Sequence, residues 1–360
     1  MRYLSLFSGI EAASVAWHPL GWTPVAFAEV EPFPSAVLAE RFPDVPNLGD
    51  VTKFKEWNID GSIDLIVGGS PCQSFSVAGL RKGMDDPRGN LALTYLAIVD
   101  KYRPKWVVWE NVPGVLSSNG GRDFGSFLGA LDALGYGYAW RVLDAQYTRT
   151  PDYPRAVPQR RRRVFVVGCL GDWRSPQAVL FDSESLCGNP PPSREKRQGT
   201  AAVAETGVGG DGGVDAYQEV VGSLCADDHK GHSCQQTITQ EKLILAQPKV
   251  MAFEPGSIAR NAGPAGEDEV CPTLRKEMGD NQPAVRIEFN TAVRRLTPTE
   301  CERLQGFPDD WTRILWRKKT ADDCPDGPRY KAIGNSMAVN VMQWIGIRIA
   351  MVEEITQEEI

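Results

Sequence analysis

No stretch of this 360-residue sequence is apolar for long enough to cross a bilayer, and Glu11 interrupts the opening MRYLSLFSGIEAAS too early for a signal peptide. A membrane-embedded or exported protein is not what these features predict, and the expected compartment is the cytoplasm. The eight cysteines are scattered, without the tight spacing of a disulfide framework. Reduced thiols follow, so a catalytic cysteine is admissible. The G-x-x-x-x-G-K-[ST] loop that cradles triphosphates is missing, which argues against nucleoside triphosphate chemistry. An excess of basic charge is also lacking: 39 Lys and Arg stand against 46 Asp and Glu, a formal net charge of −7. A positively coated surface is thereby excluded, but a nucleic-acid enzyme is not, because a duplex needs only a local positive face. Two places can supply one: the run Arg160 to Arg163, with Arg149 and Arg155 before it, and Arg317-Lys318-Lys319.

What is present reads as an ordinary globular chain, 42% hydrophobic and 24% charged, long enough for one large domain and a smaller one. Short apolar runs at 3–7, 25–28, 63–67, 106–109, 138–144 and 163–168 predict strands. Amphipathic stretches at 8–17, 34–41, 91–102 and 124–134 predict helices between them. This alternation predicts an α/β fold with a doubly wound, mostly parallel sheet, whose ligands sit at the carboxyl ends of the strands. Composition changes near Asp182, and 183–247 is rich in Gly, Pro and Ser with weak periodicity, the mark of a loop-rich insertion. Periodicity returns where Thr297-Pro298-Thr299-Glu300 predicts a capped helix, and a last helix is expected over 336–352. The expected division is a catalytic domain of 1–175 completed by 328–360, with 176–327 forming the smaller module and hinge.

Three segments carry chemistry. Gly68-Gly69-Ser70-Pro71-Cys72-Gln73-Ser74-Phe75-Ser76 follows a predicted parallel strand directly, so Cys72 falls on a loop where backbone N–H groups can stabilise a thiolate. Alone, a cysteine is more often a small buried hydrophobe. Trp109-Glu110-Asn111-Val112-Pro113-Gly114 ends another strand, and a carboxyl beside a tryptophan there can keep its proton to unusually high pH. The plainer reading of Glu110 is a surface cap on the next turn. Gln159-Arg160-Arg161-Arg162-Arg163 precedes a buried strand, and extended backbone would point Gln159, Arg161 and Arg163 one way, Arg160 and Arg162 the other. Guanidinium groups so arranged suit phosphates or base edges, although most charge runs are simply solvated. Phe7-Ser8-Gly9-Ile10-Glu11 occupies the first strand-to-helix turn, Glu29 ends the second strand in position for ribose hydroxyls, and Asp50 is placed for an adenine amino group. A dehydrogenase would share that pattern. Cys225, His229, His232 and Cys234 lack the spacing of common zinc sites, so no metal is expected.

In order, the blocks LFSGIEAAS, AEVEP, LGDVTKF, GGSPCQSFS, WENVPGV, VPQRRRRVFVVG, RRLTPTECERLQGFPDDW and AIGNSMAVNVM resemble the motif set of the DNA (cytosine-5)-methyltransferase family. They cover 3–168 and 293–345 and leave the middle unmatched. The resemblance implies a Rossmann-like catalytic domain using S-adenosylmethionine, with a loop- and strand-rich target-recognition domain. It implies Cys72 as nucleophile towards a flipped-out cytosine, Glu110 bonded to the ring, Arg163 on the cytosine O2 and Arg161 supporting the site or a phosphate. It places Phe7, Gly9, Ile10, Glu29, Val30, Asp50, Val51, Pro71, Asn335 and Ser336 at the cofactor, with Gly334-Asn335-Ser336 opening the last helix. Gln73 and Ser76 become candidates to hold the opened duplex, and Gln159 and Arg275 candidates for DNA contacts. The implied partner is double-stranded DNA, met by a monomer associated with the nucleoid; a cognate restriction endonuclease is left open. One position departs from the pattern: Glu11 stands where the family's F-x-G-x-G carries its second glycine. The rivals are a tRNA cytosine methyltransferase with the same residues, a nucleotide-dependent oxidoreductase, and a non-catalytic DNA-binding regulator. The variable segment before residue 296 favours DNA over tRNA. The oxidoreductase leaves Cys72, Glu110 and Arg163 unexplained, and the regulator predicts a damaged nucleophile or acid that is not seen.

Overall fold

The computed structural model describes residues 1–71, 91–181, 250–253, 284–287 and 292–358. Cys72, Gln73, Ser76, Arg275 and the Cys225/His229/His232/Cys234 group lie outside them. The chain divides into two units, one of 1–188, 273–279 and 297–360, the other of 189–272 and 280–296.

The first unit is built on a six-stranded sheet. Its strands are β1 (Arg2–Leu6), β2 (Thr23–Ala28), β3 (Leu65–Gly68), β4 (Trp106–Asn111), β5 (Tyr136–Asp144) and β6 (Arg162–Leu170), in the order β2-β1-β3-β4-β6-β5. The first four run parallel, and β6 lies antiparallel to both β4 and β5. Parallel strands are covered on both faces and therefore read as nearly continuous apolar runs. Leu65, Ile66 and Val67 of β3 are buried accordingly. On one face Leu4, Leu6, Ile66 and Trp109 meet Leu96 and Val99 of α3 (Leu91–Tyr102) and Phe127 and Leu131 of α4 (Arg122–Ala133). Trp109 stacks on Phe127 with ring centroids 4.2 Å apart, a contact that adds roughly 0.5–1.5 kcal/mol to area burial. Elsewhere Tyr3 sets its ring edge-on to Trp17 of α1 (Ala12–Trp17) at 5.1 Å. Trp17 in turn donates its indole N–H to the carbonyl of Met342 on α8 (Val339–Glu358) at 2.7 Å.

The remaining helices among the described residues are α2 (Pro32–Arg41), α5 (Arg174–Leu180), α6 (Pro298–Gln305) and α7 (Asp326–Asn335). The expected capping box at α6 is present: the Thr297 hydroxyl accepts from the Glu300 N–H at 3.3 Å, and the Glu300 carboxylate accepts from the Thr297 N–H at 2.7 Å. Two expectations about helix ends are corrected. The first helix starts at Ala12 rather than residue 8, because Phe7, Gly9 and Glu11 all have positive φ, of 54°, 57° and 66°. Gly334 and Asn335 do not open the last helix; they close α7, and Ser336 caps it before α8 begins at Val339. Segment 297–327, expected in the smaller module, belongs to the first unit. It is fastened there by the Trp311 indole, which donates to the Ile10 carbonyl at 2.9 Å, and by Arg41, which donates to the Asp310 and Trp311 carbonyls at 2.6 and 2.9 Å.

The second unit contains an antiparallel sheet of β7 (Val250–Phe253), β8 (Ala284–Ile287) and β9 (Ala292–Arg295), in that order. Among the described residues no helix is long and apolar enough to cross a membrane.

Candidate active site

The order of strands reverses at β1, which has β2 on one side and β3 on the other. A crevice opens at such a switch point, outside the carboxyl ends of the strands. The turns after β1 and β3 are the ones the sequence marked.

The turn after β1 is held from several sides. The Ser8 hydroxyl donates to the Ser5 carbonyl at 3.0 Å and accepts from the Ala28 N–H at 3.1 Å, joining the ends of β1 and β2. Glu29, just past β2, accepts the Gly9 N–H at 2.8 Å on one carboxylate oxygen and the Glu31 N–H at 2.7 Å on the other. Burial pushes the Glu29 carboxyl above its usual range, with those backbone bonds opposing the shift. Asn47 fixes the Glu29 backbone, its side chain accepting from the N–H at 3.0 Å and donating to the carbonyl at 3.1 Å. Asp50 caps a short 3-10 turn (Val51–Glu56) by accepting from the N–H and hydroxyl of Thr52 at 2.9 and 2.8 Å, and Val51 is buried beneath it. Ile10 is fully buried, whereas the neighbouring Val30 is 65% exposed. A methyl group built on Gly9 would meet nothing within 4 Å. An apolar side chain bared beside a carboxylate, with open space over a glycine, suits a nucleoside that presents a flat base and vicinal hydroxyls.

Glu11 does not crowd this space. Its side chain turns into the protein, 1% exposed, and accepts from the Ser5 hydroxyl at 2.8 Å and from the Ser14 N–H and hydroxyl at 3.1 Å each. It is the N-cap of α1.

The turn after β3 leads from Gly68 through Gly69, Ser70 and Pro71 to Cys72. Ser70 is clamped by alternate residues of β4: Trp109 donates to its hydroxyl at 3.0 Å and Asn111 donates to its carbonyl at 3.0 Å. Asn111 also accepts from the Val112 N–H at 2.8 Å, which fixes its amide plane. Glu110, between them on the strand, faces the other way. A methyl on Gly69 would lie 2.7 Å from its Oε2, so glycine is what lets the acid close on this turn. Pro71 is exposed at the edge.

Because β6 is antiparallel, its first residues reach the same edge. Arg163 approaches Glu110 with Nε 3.0 Å from Oε1, the two side chains only 15% and 13% exposed. Burial raises the Glu110 carboxyl above its usual range, against the pull of the Arg163 and Arg161 charges. Arg161 is 2% exposed. Its guanidinium donates to the Gly334 carbonyl at 3.1 Å and to the Ser336 carbonyl, and its own N–H donates to Asp144 at 2.9 Å. Burial, with the like charge of Arg163, lowers its ionisation to about pH 9, and Glu110 opposes the change. Arg161 thus joins the turn between α7 and α8 to the acid-bearing edge. Ser336 is buried there, Asn335 is exposed, and Met337 comes within 3.4 Å of a methyl built on Gly69.

The alternation read from the arginine run is present, with Arg160 and Arg162 exposed and Gln159 and Arg161 buried. One expectation is corrected by it. Gln159, anticipated as a DNA contact, is 0% exposed and belongs to the packing behind the site. The sequence also assigned no role to Gly69, Ser70 or Asn111, and marked Trp109 only as the neighbour of Glu110. The two-residue period of β4 was the available signal, since it sets Trp109 and Asn111 on the face opposite Glu110.

An acid, two guanidinium groups and the chain leading to a cysteine therefore converge at the carboxyl ends of the strands, beside the turn that carries Gly9. Such a group can bind one edge of a planar base and favour charge that develops on it.

A family model described as C-5 cytosine-specific DNA methylase matches residues 1–351. Among curated relatives, a protein of Escherichia phage P1 named "DNA N-6-adenine-methyltransferase" is 37% identical, covering 96% of this chain; the chain spans 61% of that relative's length. "Type II methyltransferase M2.BsuMI" of Bacillus subtilis (strain 168) is 29% identical over 96% of this chain and 74% of the relative. Among solved structures, a putative DNA modification methyltransferase encoded within a prophage of E. coli superposes with a TM-score of 0.56 at 20% identity, covering 98% of this chain and 99% of that one. That likeness speaks for the fold.

Proposed function

This chain belongs to the C-5 cytosine-specific DNA methylase family, and we propose that it moves a methyl group from S-adenosylmethionine to carbon 5 of a cytosine in a specific double-stranded DNA sequence, through a covalent bond to Cys72. The observation that carries this reading is the Glu110–Arg163 pair, held at 3.0 Å at the strand ends beside the turn that runs into Pro71-Cys72.

Carbon 5 is a poor nucleophile while the pyrimidine ring is aromatic. The Cys72 thiolate adds to carbon 6, and the electron pair of the 5,6 double bond moves to carbon 5. When bound, S-adenosylmethionine supplies an electrophilic methyl on a sulfonium. That methyl would pass to carbon 5 as its bond to sulfur breaks, leaving S-adenosylhomocysteine as a neutral thioether; carbon 5 then loses its proton to a base, and departure of the thiolate from carbon 6 restores the double bond. Glu110, raised by burial, hydrogen-bonds ring nitrogen 3 and the exocyclic amine as charge builds there. Arg163 holds O2 and keeps Glu110 oriented. Arg161 positions both through the carbonyls of Gly334 and Ser336. Phe7, Gly9, Ile10, Glu29, Val30, Asp50, Val51, Pro71, Asn335 and Ser336 would hold the methyl donor. Glu29 would accept from its ribose hydroxyls beside the Gly9 and Glu31 bonds, and the exposed Val30 would offer apolar surface to its base. The target carbon is hidden in a duplex, so the base leaves the stack at a cost of roughly a few kcal/mol. Gln73 and Ser76, on the Cys72 loop, hold the opened duplex. Arg275 and the exposed Arg160 and Arg162 contact its backbone.

The name of the phage P1 relative raises methylation of adenine N6. That reaction uses the exocyclic nitrogen itself as nucleophile and has no use for a thiol aimed at a ring carbon. Part of that relative also lies beyond the match. Bisulfite sequencing of DNA from cells expressing the protein is expected to reveal 5-methylcytosine at one short sequence. Cys72→Ala is expected to abolish it while DNA binding persists, and duplex DNA carrying 5-fluorocytosine at the target is expected to trap the unaltered protein alone. Methylation surviving in the alanine variant, transfer to adenine, or a preference for tRNA would each overturn the reading.

A further inference from the structure

The family pattern has glycine where this chain has Glu11, and the backbone there has φ 66°, which a glycine adopts without strain and a side-chain-bearing residue rarely does. The turn is therefore left-handed although the residue suited to such a turn is absent. Side-chain hydrogen bonds hold it in that form. The Glu11 carboxylate is buried under the turn with three donors on it, from Ser5 of β1 and from the N–H and hydroxyl of Ser14 on α1. Tyr3 extends the chain, its hydroxyl 2.6 Å from that of Ser14. The Glu11 N–H donates to the Ser8 carbonyl at 2.9 Å, closing the turn on itself. Two residues earlier the Gly9 N–H is bound to Glu29, and between them the Ile10 carbonyl accepts from Trp311. The segment that lines the donor crevice is thus pinned at Gly9, Ile10 and Glu11, and only the last pin is an ionisable side chain of the turn itself.

We propose, on the reading of the site given above, that Glu11 is a positioning residue for the methyl donor: in place of a glycine, its carboxylate holds the Phe7–Ala12 turn in the left-handed form that the donor meets. The ionised carboxylate can accept all three donors at once, whereas the protonated acid gives up acceptor capacity and loosens the cap. The titratable groups facing Glu11 are Tyr3 on β1 and Glu29 beyond β2; α8, packed on α1, meets Trp17 with the Met342 backbone. Burial, aided by Glu29 and opposed by the serine bonds, raises the Glu11 ionisation to about 7. Donor affinity should therefore strengthen as pH rises through neutrality.

The test is calorimetric titration of S-adenosylmethionine into the full chain between about pH 5.5 and 8.5, so that affinity is read without turnover. Glu11→Gln, which fills the same space but cannot ionise, should bind about tenfold more weakly at the alkaline end and match the unaltered protein at the acid end, as if binding moved the Glu11 ionisation by one unit. That convergence is something a merely structural role would not produce. Ser5→Ala keeps the cap and removes one donor from the anion, so its affinity profile should inflect at higher pH; it carries the test if the glutamine variant does not fold. Profiles of the unaltered and glutamine proteins that run parallel, or an inflection unmoved by Ser5→Ala, would overturn the role of Glu11 alone. Failure of the unaltered protein to bind S-adenosylmethionine at any pH would instead overturn the methyltransferase reading beneath it.

Discussion

Gly69→Ala separates catalysis from folding more cleanly than any change at the reacting groups. The added methyl would lie 2.7 Å from Glu110 Oε2 and 3.4 Å from both the Glu110 carbonyl oxygen and Met337 Cε. Non-bonded carbon and oxygen atoms settle at roughly 3.5 Å, so the carboxylate must retreat by about half an ångström to one ångström. Gly69 is not among the residues of positive φ, so alanine carries no backbone penalty there. The displaced atom is the end of a side chain, and the stability cost should stay near about 1 kcal/mol, the low end for added methyl groups. The chemical cost is larger. Glu110 cannot retreat without lengthening or dragging its 3.0 Å pair with Arg163, and an ångström of misplacement costs on the order of 100-fold in rate. Single-turnover transfer of labelled methyl groups, run beside a thermal melt, reads both quantities. The variant should melt within about 2–4 °C of the parent while methylating far more slowly, with donor affinity preserved. A folded Gly69→Ala protein with the parental rate would show that Glu110 does not act from the place described for it.

Arg161→Lys tests the brace between the acid-bearing edge and the α7–α8 turn. An ammonium cannot span both the Gly334 and Ser336 carbonyls as the planar guanidinium does, so rate and stability should fall together, the latter by about 2–4 kcal/mol for a disturbed buried charge; a rate loss without a shift in the melt would count against the brace. Glu11 leaves a separate mark on folding. Its carboxyl is raised from 4.5 to about 7 in the folded chain, so the native state holds that proton more tightly than the unfolded one. Its contribution is full below the unfolded value and is lost as pH climbs through about 7, an effect of roughly 3 kcal/mol. Urea unfolding at acid and alkaline pH should therefore show a steeper decline for the parent than for Glu11→Gln, and equal slopes would mean that the carboxyl is not buried in ionisable form.

Strands were legible because β1, β3 and β4 are buried on both faces and carry apolar runs such as Leu65–Val67 and Trp106–Trp109. The capping box at Thr297 was legible because it depends on four adjacent residues. The α7 helix was not, since a Gly-Pro pair is ordinarily a turn signal, yet Gly327 and Pro328 stand in the first turn of a helix, where proline's missing N–H has no partner to lose. The arginine run gave its alternation but not its inward face. A neutral amide such as Gln159 is usually exposed, and only the packing around it tells otherwise. The inward turn of Glu11 is a matter of one dihedral angle, which no pattern of residue types records. Asn111 and Gly69 act through single hydrogen bonds and clearances across the sheet, and such pairings exist only once the register Gly68 opposite Trp109 is set.

The bond from Trp17 to Met342 spans 325 positions of the chain. During synthesis Trp17 of α1 leaves the ribosome 325 residues before the Met342 carbonyl that shelters it. The nascent first half must wait with a large aromatic surface uncovered, which invites chaperones and makes closure of the core slow for reasons of loop entropy. Termination before Val339 would accordingly release a chain that has Glu110, Arg161 and Arg163 in sequence but lacks the α8 cover over its first helix.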